Sequence, residues 1–285
     1  MSITVKNLRY IYNKEMPGET VALDDVSFEI SDGSILGVIG HTGSGKSTLL
    51  QHLNGLLKPE SGDVFIDDVC ITDGKTKLVE IRRRVGLVFQ YPEYQLFEET
   101  VAKDVAFGPR NLGLDDEEIK RRVKHALEIV GLDYEDVKDN SPFEHSGGNK
   151  RKIAIAGVLA MEPKVLILDE PTAGLDPKAH REILAMVRRI HDSTGCIIIF
   201  VSHNMADIAS MADKVIVLNA GRIVLEGTPA QVFSHGEELA AMGLDVPPAR
   251  EMTDKLSRLI PGFTSEALSI TQAADDIRNF ISSDK

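Results

Sequence analysis

Residues 40–48 read Gly40-His41-Thr42-Gly43-Ser44-Gly45-Lys46-Ser47-Thr48. The spacing Gly-x-x-x-x-Gly-Lys-Ser suits a phosphate cradle. Glycines permit backbone turns that a Cβ forbids, so successive N–H groups can converge on phosphate oxygens. A helix opening at Lys46 would add its positive end. Lys46 would reach the outer phosphates of ATP, and the Ser47 hydroxyl would ligate Mg²⁺. A glycine-rich turn with a chance lysine is the bland alternative, and the setting between an apolar strand and a helix counts against it.

A second group follows the apolar run Val165-Leu166-Ile167-Leu168, which ends in Asp169-Glu170. Beside a phosphate loop, Asp169 would hold Mg²⁺ and Glu170 would polarise an attacking water. Gln90 ends the run Val85–Phe89, where its amide could touch both Mg²⁺ and that water. Ser146-Gly147-Gly148 precedes a helix expected near Lys150 and could form a second anion-binding helix end. His203 follows the run Cys196–Val201. Each of these three is weak alone: a surface amide, a helix cap and a structural histidine are common.

The elements that must position these groups can be read from apolar periodicity. Ser2–Leu8 and Val21–Ile30 alternate as strands and suggest a small antiparallel sheet. Ser34–Ile39, Val85–Phe89, Val165–Leu168, Cys196–Val201 and Lys214–Leu218 are short runs rich in Val, Ile and Leu, as in strands buried on both faces. Helical patterns separate several of them, including Lys46–Asn54 and Pro177–His191. The fold class is therefore α/β with a mostly parallel core sheet. Between about 92 and 160 strand character fades. Asp115-Asp116-Glu117-Glu118 there offers an N-cap and an acidic first turn for a helix over Ile119–Val130. This predicts an inserted helical subdomain within a main domain of residues 1–235. Residues 236–285 form a polar, helical C-terminal extension broken at Pro247-Pro248 and Pro261-Gly262.

The formal net charge of −12 disfavours nucleic acid as a partner, despite local clusters at Arg82-Arg83-Arg84 and Lys150-Arg151-Lys152. Cys70 and Cys196 suggest small apolar residues in a reducing cytoplasm rather than a disulfide. The N-terminus enters a strand pattern directly, so no signal peptide is expected. No apolar run is long enough to span a bilayer.

The phosphate loop, Gln90, Ser146-Gly147-Gly148, Asp169-Glu170, Ala173-Gly174-Leu175-Asp176 and His203 follow the order and spacing of ATP-binding-cassette (ABC) ATPases, which the chain resembles over residues 1–235. Val88–Phe97, Ala106-Phe107-Gly108-Pro109 and Ala154–Pro163 resemble, more narrowly, energy-coupling-factor (ECF) transporter ATPases, in particular the second of the paired ATPases that drive micronutrient uptake. The resemblance implies a P-loop fold and ATP hydrolysis at the cytoplasmic face of the cell membrane. It implies three partners: a second, homologous ATPase, a transmembrane coupling subunit and a separate substrate-binding membrane subunit. In the family, two nucleotide-binding domains pair head to tail. Gln90, Glu170 and His203 would then act on the ATP held by the loop, with Ser47, Gln90 and Asp169 around Mg²⁺. Ser146, Gly147 and Gly148 would serve the partner's ATP, and Asp176 would couple the sites. Tyr12 matches the aromatic that stacks on adenine, with Tyr10 as a close alternative. The extension resembles a dimerisation element.

The family signature Leu-Ser-Gly-Gly-Gln here reads His145-Ser146-Gly147-Gly148-Asn149. One reading is a slow composite site, and neutral drift is the other. The resemblance implies a groove beside the Gln90 loop that receives short, arginine-bearing helices of the membrane subunit. Glu93, Glu98, Glu99 and Asp104 would supply negative charge there, a solvated acidic surface being the bland alternative. A soluble ABC ATPase acting on DNA or in translation is disfavoured by acidity, by the single cassette and by the lack of long heptad runs or cysteine clusters. A switch without turnover is disfavoured by Glu170 and His203.

Overall fold

The computed structural model describes residues 2–74 and 76–283. In chain order the strands and helices are β1 (Ile3–Tyr12), β2 (Thr20–Ile30), β3 (Ile35–Ile39), α1 (Lys46–Leu53), β4 (Ser61–Ile66), β5 (Val69–Cys70), α2 (Leu78–Arg84), β6 (Val85–Val88), α3 (Val101–Asn111), α4 (Asp116–Ile129), α5 (Tyr134–Val137), α6 (Gly147–Leu159), β7 (Val165–Asp169), α7 (Pro177–Thr194), β8 (Ile197–Val201), α8 (Met205–Met211), β9 (Lys214–Asn219), β10 (Arg222–Gly227), α9 (Pro229–Phe233), α10 (Gly236–Ala241), α11 (Pro248–Leu259) and α12 (Ile270–Ser283).

They form two sheets. An antiparallel sheet runs β2-β1-β4-β5, and a mixed sheet runs β10-β9-β3-β8-β7-β6. In the second sheet all neighbours are parallel except the edge strand β10. Its central strands are covered on both faces. In β3, Ile35 and Ile39 face the helical side, while Leu36 and Val38 face the antiparallel sheet. β7 and β8 alternate in the same way, so each strand drops apolar side chains into two cores.

Helices α3 to α6 form the insert between β6 and β7. The acidic cap is in place, with Asp115 accepting from the Glu118 N–H. Pro177 occupies the first turn of α7, with Asp176 as its N-cap. The helix placed near Lys150 starts earlier, at Gly147, because Ser146 caps it. Beyond the elements expected from periodicity, the structure adds β4, β5, α2, α8 and β10, all of them short. β1 does not stop at Leu8 but continues to Tyr12 through irregular register near Leu8 and Tyr10. The main core continues past residue 235 through Leu239 and Leu244, and α11 and α12 share a smaller cluster with Ala249, Ala267 and Ala273. Cys196 is buried, Cys70 is half-buried, and both are free thiols. Among the described residues, no helix is long and apolar enough to cross a membrane.

Candidate functional site

The parallel strands deliver their carboxyl ends to one edge of the sheet, where open α/β sheets bind ligands. β3 leads into the glycine-rich loop, β8 into His203, β7 into Asp169 and Glu170, and β6 towards Gln90.

Three glycines of the loop have positive φ: Gly40 at 157°, Gly43 at 83° and Gly45 at 106°. A Cβ on Gly45 would lie 2.5 Å from the Ala22 carbonyl oxygen, and one on Gly40 would lie 2.4 Å from that of Leu218. Both positions are closed to any side chain. Gly43 instead faces open space. The Lys46 ammonium donates to the carbonyls of Gly40 (2.6 Å) and His41 (2.9 Å). Burial pushes its pKa down, while Glu170 and Asp169 pull it back up. The Ser44 hydroxyl is buried without a hydrogen-bond partner. Thr48, at the loop's end, lies 3.2 Å from the Tyr12 hydroxyl. Tyr12 is exposed, whereas Tyr10 packs edge-on against both Tyr12 and His52. Of the two tyrosines, Tyr12 is the one hydrogen-bonded to the loop's last residue.

The Ser47 hydroxyl donates to Asp169 Oδ2 at 3.4 Å. Burial, then the charge of Glu170, raises the Asp169 carboxyl above its usual range, against the pull of Ser47 and Lys46. Ser47, Gln51, Gln90 and Asp169 line one cleft of about 260 Å³. A hydroxyl, an amide oxygen and one carboxylate are hard oxygen donors, which suit Mg²⁺ held partly through water. Glu170 is gripped at both oxygens: Gln90 Nε2 donates to Oε2 at 2.9 Å, and His203 Nε2 lies 2.8 Å from Oε1. Glu170 itself adopts a left-handed backbone, with φ 51°.

Ser146, Gly147 and Gly148 sit elsewhere, at the N-terminus of α6. Ser146 accepts from the Asn149 N–H. Among the described residues, no hydrogen bond joins this segment to the glycine-rich loop. Beside it, His145 Nε2 is buried and unpartnered. Asp176 spends its carboxylate on the N–H groups of Lys178 and Ala179, which hold its pKa low.

Sequence reasoning missed two networks. Arg151, read as part of a basic cluster, is 1% exposed and pairs with Glu93. Asp207, 3% exposed, gathers His180, Thr172 and Ser202, the last of which precedes His203 in the chain. A basic residue at an inward helical position, on the same face as Ile155, was the available signal for Arg151.

A nucleotide loop at the carboxyl edge of this sheet, an inserted helical subdomain and a capped Ser-Gly-Gly helix define an ABC-type ATPase. A family model described as ABC transporter matches residues 23–173. The energy-coupling factor transporter ATP-binding protein EcfA2 of Clostridium perfringens is 55% identical over 281 residues, 99% of each chain. That of Clostridioides difficile is 56% identical, covering 97% of this chain and 96% of the relative. Among solved structures, cbiO1 from Clostridium perfringens, described as part of the ABC transporter complex cbiONQ, superposes with a TM-score of 0.75 at 38% identity. That match covers 90% of this chain and 96% of the other. A dimeric cassette, MJ0796 bound to ADP and Pi, gives a TM-score of 0.70 at 28% identity over 80% of this chain and 98% of its own. The chain belongs to the ABC transporter family and, within it, to the energy-coupling factor transporter ATPases, grouping with the second of the pair.

Proposed function

We propose that this chain is the ATP-hydrolysing motor subunit of an ECF importer and works as one half of a heterodimer on the cytoplasmic face of the membrane. The observation that carries this reading is the grip of Gln90 and His203 on Glu170 beside the loop, while Ser146 caps a separate helix, α6. Each chain would thus hold half of two sites.

In this reading, residues 40–48 bind the phosphates of ATP, Lys46 contacts the outer ones, and Tyr12 stacks on adenine. Ser47, Gln90 and Asp169 hold Mg²⁺. The ion would neutralise charge on the outer phosphates. Glu170 accepts a proton from the attacking water, while His203 and Gln90 fix its carboxylate. The partner's Ser-Gly-Gly segment closes the site, and Ser146, Gly147 and Gly148 do the same in return.

A cleft of about 580 Å³ beside the Gln90 loop suits a helix of a transmembrane subunit. Phe97 and Phe107 meet edge to face there, both substantially exposed. The acidic rim expected around this groove is smaller than the sequence suggested. Asp104 is buried and caps the Phe97 and Glu98 N–H groups, and Glu93 is taken by Arg151. Glu98 and Glu99 remain, with Glu99 pairing Lys103. We assign the main domain to residues 1–235 and a dimerisation role to 236–285. Leu259, Ile270 and Ile281 leave apolar surface exposed on that extension.

The test is purification of the tagged chain from detergent-solubilised membranes. Co-purification of a second ATPase, a coupling subunit and a substrate-binding subunit is expected, with ATPase activity in the assembly. Recovery of the chain as an active homodimer without membrane subunits would overturn the reading.

A further inference from the structure

Arg151 lies in the second turn of α6, the helix capped by Ser146, and its side chain is 1% exposed. Removing a guanidinium from water is costly, and buried ion pairs add little net stability. This one is committed to directed contacts with two other segments. Its Nε and Nη2 donate to the two carboxylate oxygens of Glu93, at 3.0 and 2.6 Å. Its Nη1 donates to the carbonyls of Pro171, at 3.0 Å, and Ala173, at 2.8 Å. The guanidinium carbon also lies 5.8 Å from the centre of the Tyr91 ring.

Those contacts flank Gln90 and Glu170, which are hydrogen-bonded to each other. Tyr91 and Glu93 follow Gln90, and Pro171 and Ala173 follow Glu170. Both Tyr91 (φ 55°) and Glu170 (φ 51°) hold left-handed backbone, which a side-chain-bearing residue adopts only under constraint. A planar fork with fixed donor directions can supply that constraint. A helix is stiff over two turns, so displacement of Ser146 carries Arg151 with it.

We propose that Arg151 is a positioning residue that couples the two composite sites. Through it, the seating of Ser146 on nucleotide held by the partner sets the Gln90–Glu170 geometry on the nucleotide held by this chain. The proposal rests on the roles given above to Ser146 and Glu170.

The experiment uses the intact membrane complex with Arg151→Lys, Glu93→Gln and the double variant, and Glu170→Gln as control. Direct nucleotide binding, KM, kcat and the Hill coefficient for ATP are measured. Lysine keeps the charge but cannot reproduce the fork. Arg151→Lys is expected to lower kcat roughly tenfold, to leave nucleotide affinity and KM within about twofold, and to bring the Hill coefficient down to one from the value above one that coupling predicts for the unsubstituted complex. Glu93→Gln should move the same parameters less. The double variant should be no worse than Arg151→Lys, because both changes break one fork. A purely structural role would reduce the folded fraction while leaving kcat per bound nucleotide and cooperativity intact, and that result overturns the proposal. So do multiplicative losses in the double variant. Should Arg151→Lys fail to assemble, Glu93→Gln decides: retained binding with lowered kcat supports the coupling, and unchanged kcat overturns it. Continued hydrolysis by Glu170→Gln would instead overturn the site assignment itself, and the control separates the two failures.

Discussion

His203 Nε2 stands 2.8 Å from Glu170 Oε1, and the other oxygen of the same carboxylate accepts from Gln90. The carboxylate is therefore fixed in direction by residues from the ends of β6 and β8, the two strands that flank β7. In the role proposed for Glu170, a base held this way would gain from not having to reorganise as the reaction proceeds.

Glu170→Gln keeps the shape and removes the charge. ATP binding should survive while turnover falls roughly 100-fold or more, the scale of a lost general base. Single-turnover hydrolysis by the intact complex measures it, and near-normal turnover would reject the role. Comparison with the matching change in the proposed partner ATPase also tests the altered His145–Asn149 segment: equal losses would exclude an intrinsic asymmetry between the sites.

The loop glycines should differ in kind. Gly45→Ala places a methyl 2.5 Å from a backbone carbonyl at positive φ, so a stability loss of about 2–3 kcal/mol is expected. Gly43→Ala meets nothing within 4 Å and should cost only its backbone conformation, about 1–2 kcal/mol. Urea unfolding midpoints should rank the two in that order, and an equal ranking would contradict the close approach of Ala22.

Removing Mg²⁺ with a chelator should stop hydrolysis. Ser47→Ala should raise the Mg²⁺ concentration needed for half-maximal activity, because one of the proposed hard oxygen ligands is gone. A Mg²⁺ titration unchanged by the substitution would remove Ser47 from the metal site.

Near the groove, Asp104→Asn should cost about 1–3 kcal/mol of stability, since a charged acceptor for two N–H groups is lost. The pair Glu98→Gln and Glu99→Gln should instead spare folding and nucleotide binding while lowering uptake. Normal uptake in that pair would place docking elsewhere.

Hydrogen bonds from Arg121 and then Arg122 hold the Glu118 carboxyl down, from 4.5 to about 2. A depressed carboxylate pKa gives stability that is fully present above 4.5 and is lost as pH falls towards 2. The difference in thermal midpoint between the wild type and Glu118→Gln should therefore be greatest near neutral pH and shrink below pH 4.5. A difference that grows on acidification would have the wrong sign.

Much of this was written locally in the chain. The glycine-rich loop, β7 with its acids, and the Asp115 cap depend on neighbours in sequence, so spacing and residue type revealed them. The short strands β4 and β10 were hidden by their mixed polar content, and β5 because it is only two residues long. Arg151 was hidden for a related reason. Lys150 and Lys152 flank it, so the helical spacing to Ile155 is a faint signal, and the packing of α6 against Glu93 and Pro171 is what marks a buried fork. The acidic rim was overestimated because proximity in sequence does not say which carboxylates are already engaged.

β3 has a consequence for the order of folding. The strand that carries the loop pairs with β8, Ile35 against Ile198, and with β9, Ile39 against Val217. During synthesis at about 5–20 residues per second, the loop leaves the ribosome on the order of ten seconds before its flanking strands exist. In that interval the apolar stretch Ile35–Ile39 has no sheet to join. Productive nucleotide capture thus begins only after most of the polypeptide has emerged, and the nascent chain should depend on holdase chaperones until residue 218 is outside the exit tunnel.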